Sequence, residues 1–199
     1  TYKITKIKYK ENGEQKEQDV EGKIEIQFYK DIYNFEDWQE IEAGTYQNYR
    51  LMADIDFSGR TNINTNVTMA RLEAVGGTKS LKNINLTFSG TEKGLIKEIT
   101  TKLSDVKFEN ITINFENGTS NVGIIGTESG NMENIEFSEI TIVAEQSTKV
   151  GSVGYSTAVM NNIKMEKVTV HGNYRVGGLI GEGTGEILNS NADDINVTG

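Results

Sequence analysis

The side chains that could carry acid–base or metal chemistry are few in this 199-residue chain, which has one histidine and no cysteine. A zinc peptidase needs two histidines about one helical turn apart together with a carboxylate base, and Ser/His/Asp catalysis needs a histidine near a nucleophile motif. His171 stands alone in the turn-like segment His171-Gly-Asn-Tyr174. We therefore expect no catalytic, cofactor-binding or metal-binding residue in the chain.

Two pairs of acidic residues, Asp54 with Asp56 and Asp193 with Asp194, are the remaining candidates for catalysis. The acid and the base of a glycosidase face each other across one sugar, whereas these pairs are separated by about five repeat units of the kind described below. Solvation, or capping of the turn that follows at Ser58, explains the first pair. A calcium loop would need alternating Asp or Asn ligands and a closing Glu, and no segment has that pattern.

Composition excludes two further classes of function. The net charge is −9 and no long run of like charges occurs, whereas phosphate binding requires concentrated Lys and Arg. No segment approaches the 18 or so consecutive apolar residues that predict a membrane span. We therefore expect neither a nucleic-acid partner nor insertion into a membrane. The 21 glycines and the many Ile, Val, Thr and Asn residues favour β-structure with frequent turns.

A repeat of 27 to 29 residues runs through the second half of the chain. Glycines, asparagines and apolar residues recur at successive spacings of 28 and 27 residues, and an earlier copy lies 29 residues upstream. One repeat cannot bury its apolar side chains alone, so equivalent side chains of successive repeats must stack. The positions to which we assign structural roles are Gly126, Gly154, Gly181, Asn134, Asn162, Asn189, Ile111, Ile140, Val168 and Ile195.

The spacing of apolar residues within a repeat predicts the fold class. Val106, Phe108, Ile111 and Ile113 alternate, skip one extra position and alternate again. Alternation predicts short strands with one buried side, and the extra residue predicts a corner. The chain is therefore predicted to be all-β, a right-handed parallel β-helix, with an irregular β-sandwich as the alternative. For the repeated asparagines we expect a ladder of side-chain amides or left-handed turn geometry, with ligand contact as the alternative.

The segment before the repeats predicts a cap. Alternating residues around turns at Glu11-Asn-Gly-Glu14 and Glu21-Gly22 predict a β-hairpin. Residues 34–41 predict a short helix with Asn34 as its N-cap. The helix offers three apolar side chains for packing over the end of the coil, namely Phe35, Trp38 and Ile41.

These patterns divide the chain into a hairpin and capping helix, residues 1–42, and a β-helix, residues 43–199, whose repeats are clearest from residue 94. Residues 195–199 complete a repeat and no capping segment follows them. A coil without a cap exposes unpaired backbone groups. We therefore expect the parent protein to continue with more repeats or a cap.

The fullest copy of the motif, Val176-Gly-Gly-Leu-Ile-Gly-Glu-Gly-Thr-Gly-Glu-Ile-Leu-Asn-Ser190, resembles the GLUG repeat of bacterial surface proteins. The order of a short helix, then Tyr49-Arg-Leu-Met-Ala-Asp-Ile-Asp-Phe-Ser-Gly59, then the repeats is similar to the β-helical region N-terminal to the protease domain of streptococcal immunoglobulin-A-cleaving zinc metallopeptidases. The resemblance covers about residues 30–199. It implies a secreted or cell-wall-attached, adhesin-like module. Ser152 departs from the motif, and the family's zinc-binding sequence is absent.

Three functions follow as expectations. The first is a non-catalytic spacer that holds an adjoining metallopeptidase-like or other effector domain of the same chain. The second is an adhesin-type module that binds a host protein or glycan. An outward row of aromatic side chains would favour glycan binding. The tyrosines outside the inward pattern are Tyr46, Tyr49, Tyr155 and Tyr174. The third, a polysaccharide-processing enzyme, has the least support because no acidic residues converge.

Overall fold

The computed structural model describes residues 2–3, 6–11, 14–19, 23–24 and 27–199. Parallel strands wind into a β-solenoid of about five turns, so the predicted parallel β-helix is confirmed. The elements in chain order are β1 Tyr2–Lys3, β2 Lys6–Glu11, β3 Glu14–Asp19, β4 Lys23–Ile24, β5 Tyr29–Ile32, α1 Phe35–Gln39, β6 Asn48–Leu51, β7 Ile55–Asp56, β8 Val67–Ala74, β9 Lys79–Phe88, β10 Ile96–Ser104, β11 Val106–Phe115, β12 Ser120–Val122, β13 Ile125–Glu128, β14 Asn131–Val143, β15 Thr148–Val150, β16 Val153–Ser156, β17 Met160–His171, β18 Tyr174–Val176, β19 Ile180–Gly183, β20 Ile187–Leu188 and β21 Asn191–Thr198.

The N-terminal segment contains the predicted hairpin. Strands β2 and β3 pair antiparallel, with Glu11 opposite Glu14, which is the register that a two-residue connection imposes. Strands β1 and β4 also pair antiparallel. The second predicted turn, at Glu21-Gly22, lies outside the described residues.

Helix α1 forms where its cap predicts it. The Asn34 side chain accepts a hydrogen bond from the Asp37 backbone N–H at 2.9 Å, which satisfies a donor that the first turn leaves free. Trp38 is fully buried and packs edge-on against Phe57, with ring centroids 5.8 Å apart. The helix thereby covers apolar side chains of the first turn of the coil. Parallel pairing begins before the helix, because β5 pairs with β6.

The interior of the coil consists of columns of apolar side chains. Phe108 stacks on Phe137 with ring centroids 5.3 Å apart, and most members of the columns are inaccessible to solvent. The register between β9, β11, β14, β17 and β21 follows the 27- to 29-residue offsets of the repeat. The column that contains the predicted stack is Ile84, Ile111, Ile140, Val168 and Ile195.

The corners are made by residues in the left-handed region of backbone conformation. In β14, for example, φ is +56° at Asn134 and +58° at Glu139, so one long strand turns twice. Asparagine tolerates this conformation better than other residues with a Cβ atom. Corner residues with positive φ align in three columns: Asp105, Asn134, Asn162 and Asn189; Asn83, Asn110, Glu139, Lys167 and Asp194; and Asn121, Lys149 and Arg175.

The repeated glycines allow backbone segments to approach closely. A Cβ atom on Gly154 would lie 2.3 Å from the Asn121 carbonyl carbon, and one on Gly181 would lie 2.4 Å from that of Lys149. These distances leave no room for a side chain. The glycines of the motif therefore recur where the backbones of two strands, such as β12 and β16, pack directly against each other.

Candidate functional site: the outer faces of the coil

The one histidine lies on the outer surface at the end of β17. Its Nδ1 is 2.5 Å from Thr198 Oγ1, and its Nε2 is 3.6 Å from Glu145 Oε1. Both neighbours are side chains of the surface, and the imidazole is 41% exposed. Among the described residues, no group of three or more His, Cys, Asp or Glu side chains could hold a metal ion.

The two N-terminal aspartates bind the chain's own groups. Asp54 Oδ1 accepts a hydrogen bond from the Ser80 N–H at 2.8 Å. Asp56 Oδ1 accepts bonds from Asn83 Nδ2 and from the Ser58 N–H, both at 2.9 Å. The bond from Asn83, followed by that from Ser58, lowers the pKa of the Asp56 carboxyl. Asp56 thus caps the turn that follows at Ser58 and Gly59, as predicted.

The second acidic pair lies at the other end of the coil. Asp193 and Asp194 are both exposed in β21, and Asp193 is in register with Glu166 of β17. Five ladder steps separate Asp56 from Asp193, and they pass through Lys82, Glu109, Ser138 and Glu166. The geometry does not bring the two pairs together.

The repeated asparagines form part of a ladder. Asn162 Nδ2 donates to Asn134 Oδ1 at 2.8 Å, and Asn134 Nδ2 donates to Asp105 Oδ1 at 2.8 Å. Asn189 differs, because its Nδ2 donates to Asn161. All three asparagines have positive φ, so left-handed turn geometry applies to each of them and the ladder to Asn134 and Asn162.

Sequence reasoning missed a second ladder. Asn110 Nδ2 donates to Asn83 Oδ1 at 2.7 Å, and Asn83 in turn donates to Asp56. The signal was present in the sequence, since these three residues follow each other at intervals of 27. The amides at this corner are engaged with one another along the coil.

The tyrosines do not behave alike, and the expectation that Tyr49 points outward is wrong. Tyr49 is 2% exposed, and burial raises the pKa of its hydroxyl. It lies two residues before the buried Leu51 in β6 and so points to the same side of the strand. Of the others, Tyr46 donates to Glu98 at 2.6 Å, and Lys149 lies 5.0 Å from the centre of the Tyr155 ring. Tyr174 is exposed beside the Arg175 guanidinium.

A buried carboxyl was also missed. Glu128 at the end of β13 is fully buried, in register with Ile99 and Ser156. Its Oε1 accepts a hydrogen bond from the Gly130 N–H at 2.8 Å, and Oε2 has no partner among the described residues. Burial raises the pKa of this carboxyl well above its usual value. The Ser156 hydroxyl makes the equivalent bond to the Ala158 N–H at 3.0 Å.

The outer surface on both sides of the corner at Asp105 and Asn134 carries ion pairs. Lys107 Nζ lies 2.8 Å from Glu109 and 3.5 Å from Glu136. Lys102 Nζ lies 3.5 Å from both Glu73 and Glu133. Each of these lysines lies near carboxylates of its own or a neighbouring strand, whereas the acidic Glu166 and Asp193 are in register with each other further along the coil.

One corner column consists of Asn83, Asn110, Glu139, Lys167 and Asp194. The face beyond this corner has no side chain of Asp, Glu, Lys or Arg. We call it the neutral face and define it by the outward residues of β9, β11, β14, β17 and β21 beyond the corner. Its central column is Asn85, Thr112, Thr141, Thr169 and Asn196, and its second column is Thr87, Asn114, Val143, His171 and Thr198.

The chain was compared with protein-family models, with curated proteins and with solved structures, and none of them matches it. Within the described residues, no helix has the length and apolar character needed to cross a membrane.

Proposed function

We propose that this chain is a non-catalytic spacer module of a bacterial cell-surface or secreted protein. In this proposal the module is a stiff rod that carries an adjoining effector domain of the same chain. The resemblance of the motif to GLUG repeats suggests a metallopeptidase-like domain as that neighbour.

The observation that carries the proposal is the unbroken column from Ile84 to Ile195, in which five successive strands stay in register. Each turn binds the next through backbone hydrogen bonds and buried side chains, so length grows with the number of turns. Of the carboxylates that could have served catalysis, Asp54 and Asp56 are bound by backbone and amide groups of the chain itself, and Asp193 and Asp194 lie exposed at the other end of the coil.

Duplication of one turn tests the proposal. Residues 134–161 form one repeat of 28 residues, and a second copy inserted after residue 161 should add one turn without disturbing its neighbours. Spin labels at Asn85 and Asn196, four strand intervals apart, should be separated by about 19 Å in the natural chain and about 24 Å in the duplicated one. Double electron–electron resonance measures both distances.

Because the chain has no cysteine, the two labelled positions are unique, and circular dichroism checks that both proteins are folded. A duplicated protein that unfolds, or one whose label distance does not increase, would refute an extensible rod. We also expect that the pure chain turns over neither peptides nor polysaccharides. Chelators should leave its melting temperature unchanged.

A further inference from the structure

The neutral face differs from the rest of the surface in its chemistry. Aspartate, glutamate, lysine and arginine make up 25% of the chain, yet all ten outward positions of this face lack them. The corner beside it carries Glu139 and Lys167, which pair with each other at 3.5 Å, and Asp194. An uncharged strip thus runs along the coil next to a charged corner.

The polar groups in the centre of this strip make no side-chain hydrogen bond to the described residues. In the described part of the chain, the corner asparagines bond to one another, whereas no side-chain hydrogen bond engages the central column of the neutral face. The three threonines of this column alternate with buried residues and therefore point to solvent, and Asn85 and Asn196 are in register with them. Each hydroxyl or amide can both donate and accept. The strip presents a row of unused hydrogen-bonding groups about 4.8 Å apart.

We propose that the neutral face binds a neutral polysaccharide whose chain lies along the strip. This inference goes beyond the spacer function and does not depend on it. Sugar hydroxyls match Thr and Asn groups that donate and accept. The net charge of −9 and the absence of Lys and Arg on the face disfavour acidic polysaccharides.

The size of the face favours a narrow polymer over a protein partner. Five strands and two outward columns cover roughly 24 by 13 Å, or about 300 Å². A stable protein interface, including one with a second copy of this chain, buries about 800 Å² on each partner. A polymer that makes many small contacts along the coil does not need that area.

Affinity electrophoresis in native gels tests the proposal. The gels contain hydroxyethyl cellulose, galactomannan or dextran as neutral probes, and carboxymethyl cellulose as a charged one. We expect retardation by at least one neutral probe and none by carboxymethyl cellulose. A variant with Thr112→Val, Thr141→Val and Thr169→Val should lose affinity by a factor of roughly ten or more, since three hydrogen-bonding groups are lost.

Valine suits a strand and keeps the shape of threonine, and circular dichroism verifies folding. Thr127→Val, on the outward side of β13, is the matched control and should retain binding. If the triple variant does not fold, Thr141→Lys replaces it and should abolish binding by placing a charge in the strip. The proposal fails if no neutral probe retards the chain, if carboxymethyl cellulose retards it equally, or if the variants bind as the natural chain does. A dimer in sedimentation velocity that the triple variant abolishes would assign the face to self-association and also overturn it.

Discussion

At the scale of single residues, the buried carboxyl of Glu128 is the least expected feature. It occupies a position that Ile99 fills one turn earlier, and only one of its oxygens has a partner. Desolvation penalises the charged form, so the folded protein holds the proton to a higher pH than the unfolded chain does. Between the ordinary carboxyl pKa and the raised one, the folded state binds more protons, and the free energy of unfolding falls as pH rises.

Replacement of Glu128 by Gln should remove this dependence, because an amide does not ionise. The variant should be more stable than the natural chain near neutral pH, and its stability should decline less between about pH 5 and pH 8. Urea denaturation across that range measures both effects. Glu116→Gln, at an exposed position, is the control and should leave the pH profile unchanged. Parallel profiles for Glu128→Gln and the natural chain would contradict a carboxyl that stays neutral.

Sequence could not foretell Glu128, because a charged residue at an inward position reads as an interruption of the pattern. The error at Tyr49 has a different origin. Tyr49 has the same parity as Leu51 and points inward with it, but it was counted outside the inward pattern. At both sites the alternation of the strand outweighed the polarity of the side chain. Ser152 is a milder example: it is buried, and its hydroxyl donates to the Gly178 carbonyl at 2.8 Å.

At the scale of elements, local and periodic signals carried most of the fold. The helix could be placed from its cap, and the strands of the second half from a repeat that fixes both register and corners. The pairing of β5 with β6 could not be foreseen, because β5 is four residues long and no repeat marks it. The neutral face also escaped notice, since it becomes visible only when outward positions of several turns are aligned.

The stacked column makes a prediction about stability. Ile140 is 1% exposed between Ile111 and Val168, so Ile140→Asp places an unpaired carboxylate in the core. We expect the free energy of unfolding to fall by about 3 to 5 kcal/mol or more. Thr141→Asp, one residue further and outward, should cost about 1 kcal/mol or less. Thermal or urea denaturation of both variants tests whether Ile140 points inward. Equal losses in the free energy of unfolding would contradict the register of the column.

At the scale of the whole molecule, we expect protection of the backbone amides from exchange to be uneven along the coil. In the described residues, β20 and β21 pair only with β17, whereas β14 pairs with neighbours on both sides. Ile187, Leu188 and Val197 are exposed, and Ile187 borders an apolar hollow of about 300 Å³. Among the described residues, the turn at this end of the coil pairs with a neighbouring turn on one side only, so it should open first.

Amide hydrogen exchange of the monomeric chain should show this order. Backbone amides between Ile187 and Val197 should exchange faster than those between Ile135 and Ile142, which lie in the middle of the stack. Equal protection of the two segments would show that the coil opens as one unit instead of from this end.

The length of a turn also determines how the rod would respond to tension. A pull along the axis loads the hydrogen bonds between neighbouring turns one pair at a time, so the coil yields by peeling from an end. Each peeled turn of 27 to 29 residues releases about 95 Å of chain once it is extended. Unfolding of a few turns would then lengthen the rod several-fold while the remaining turns stay folded. We therefore expect the coil to limit the force that reaches the adjoining domain.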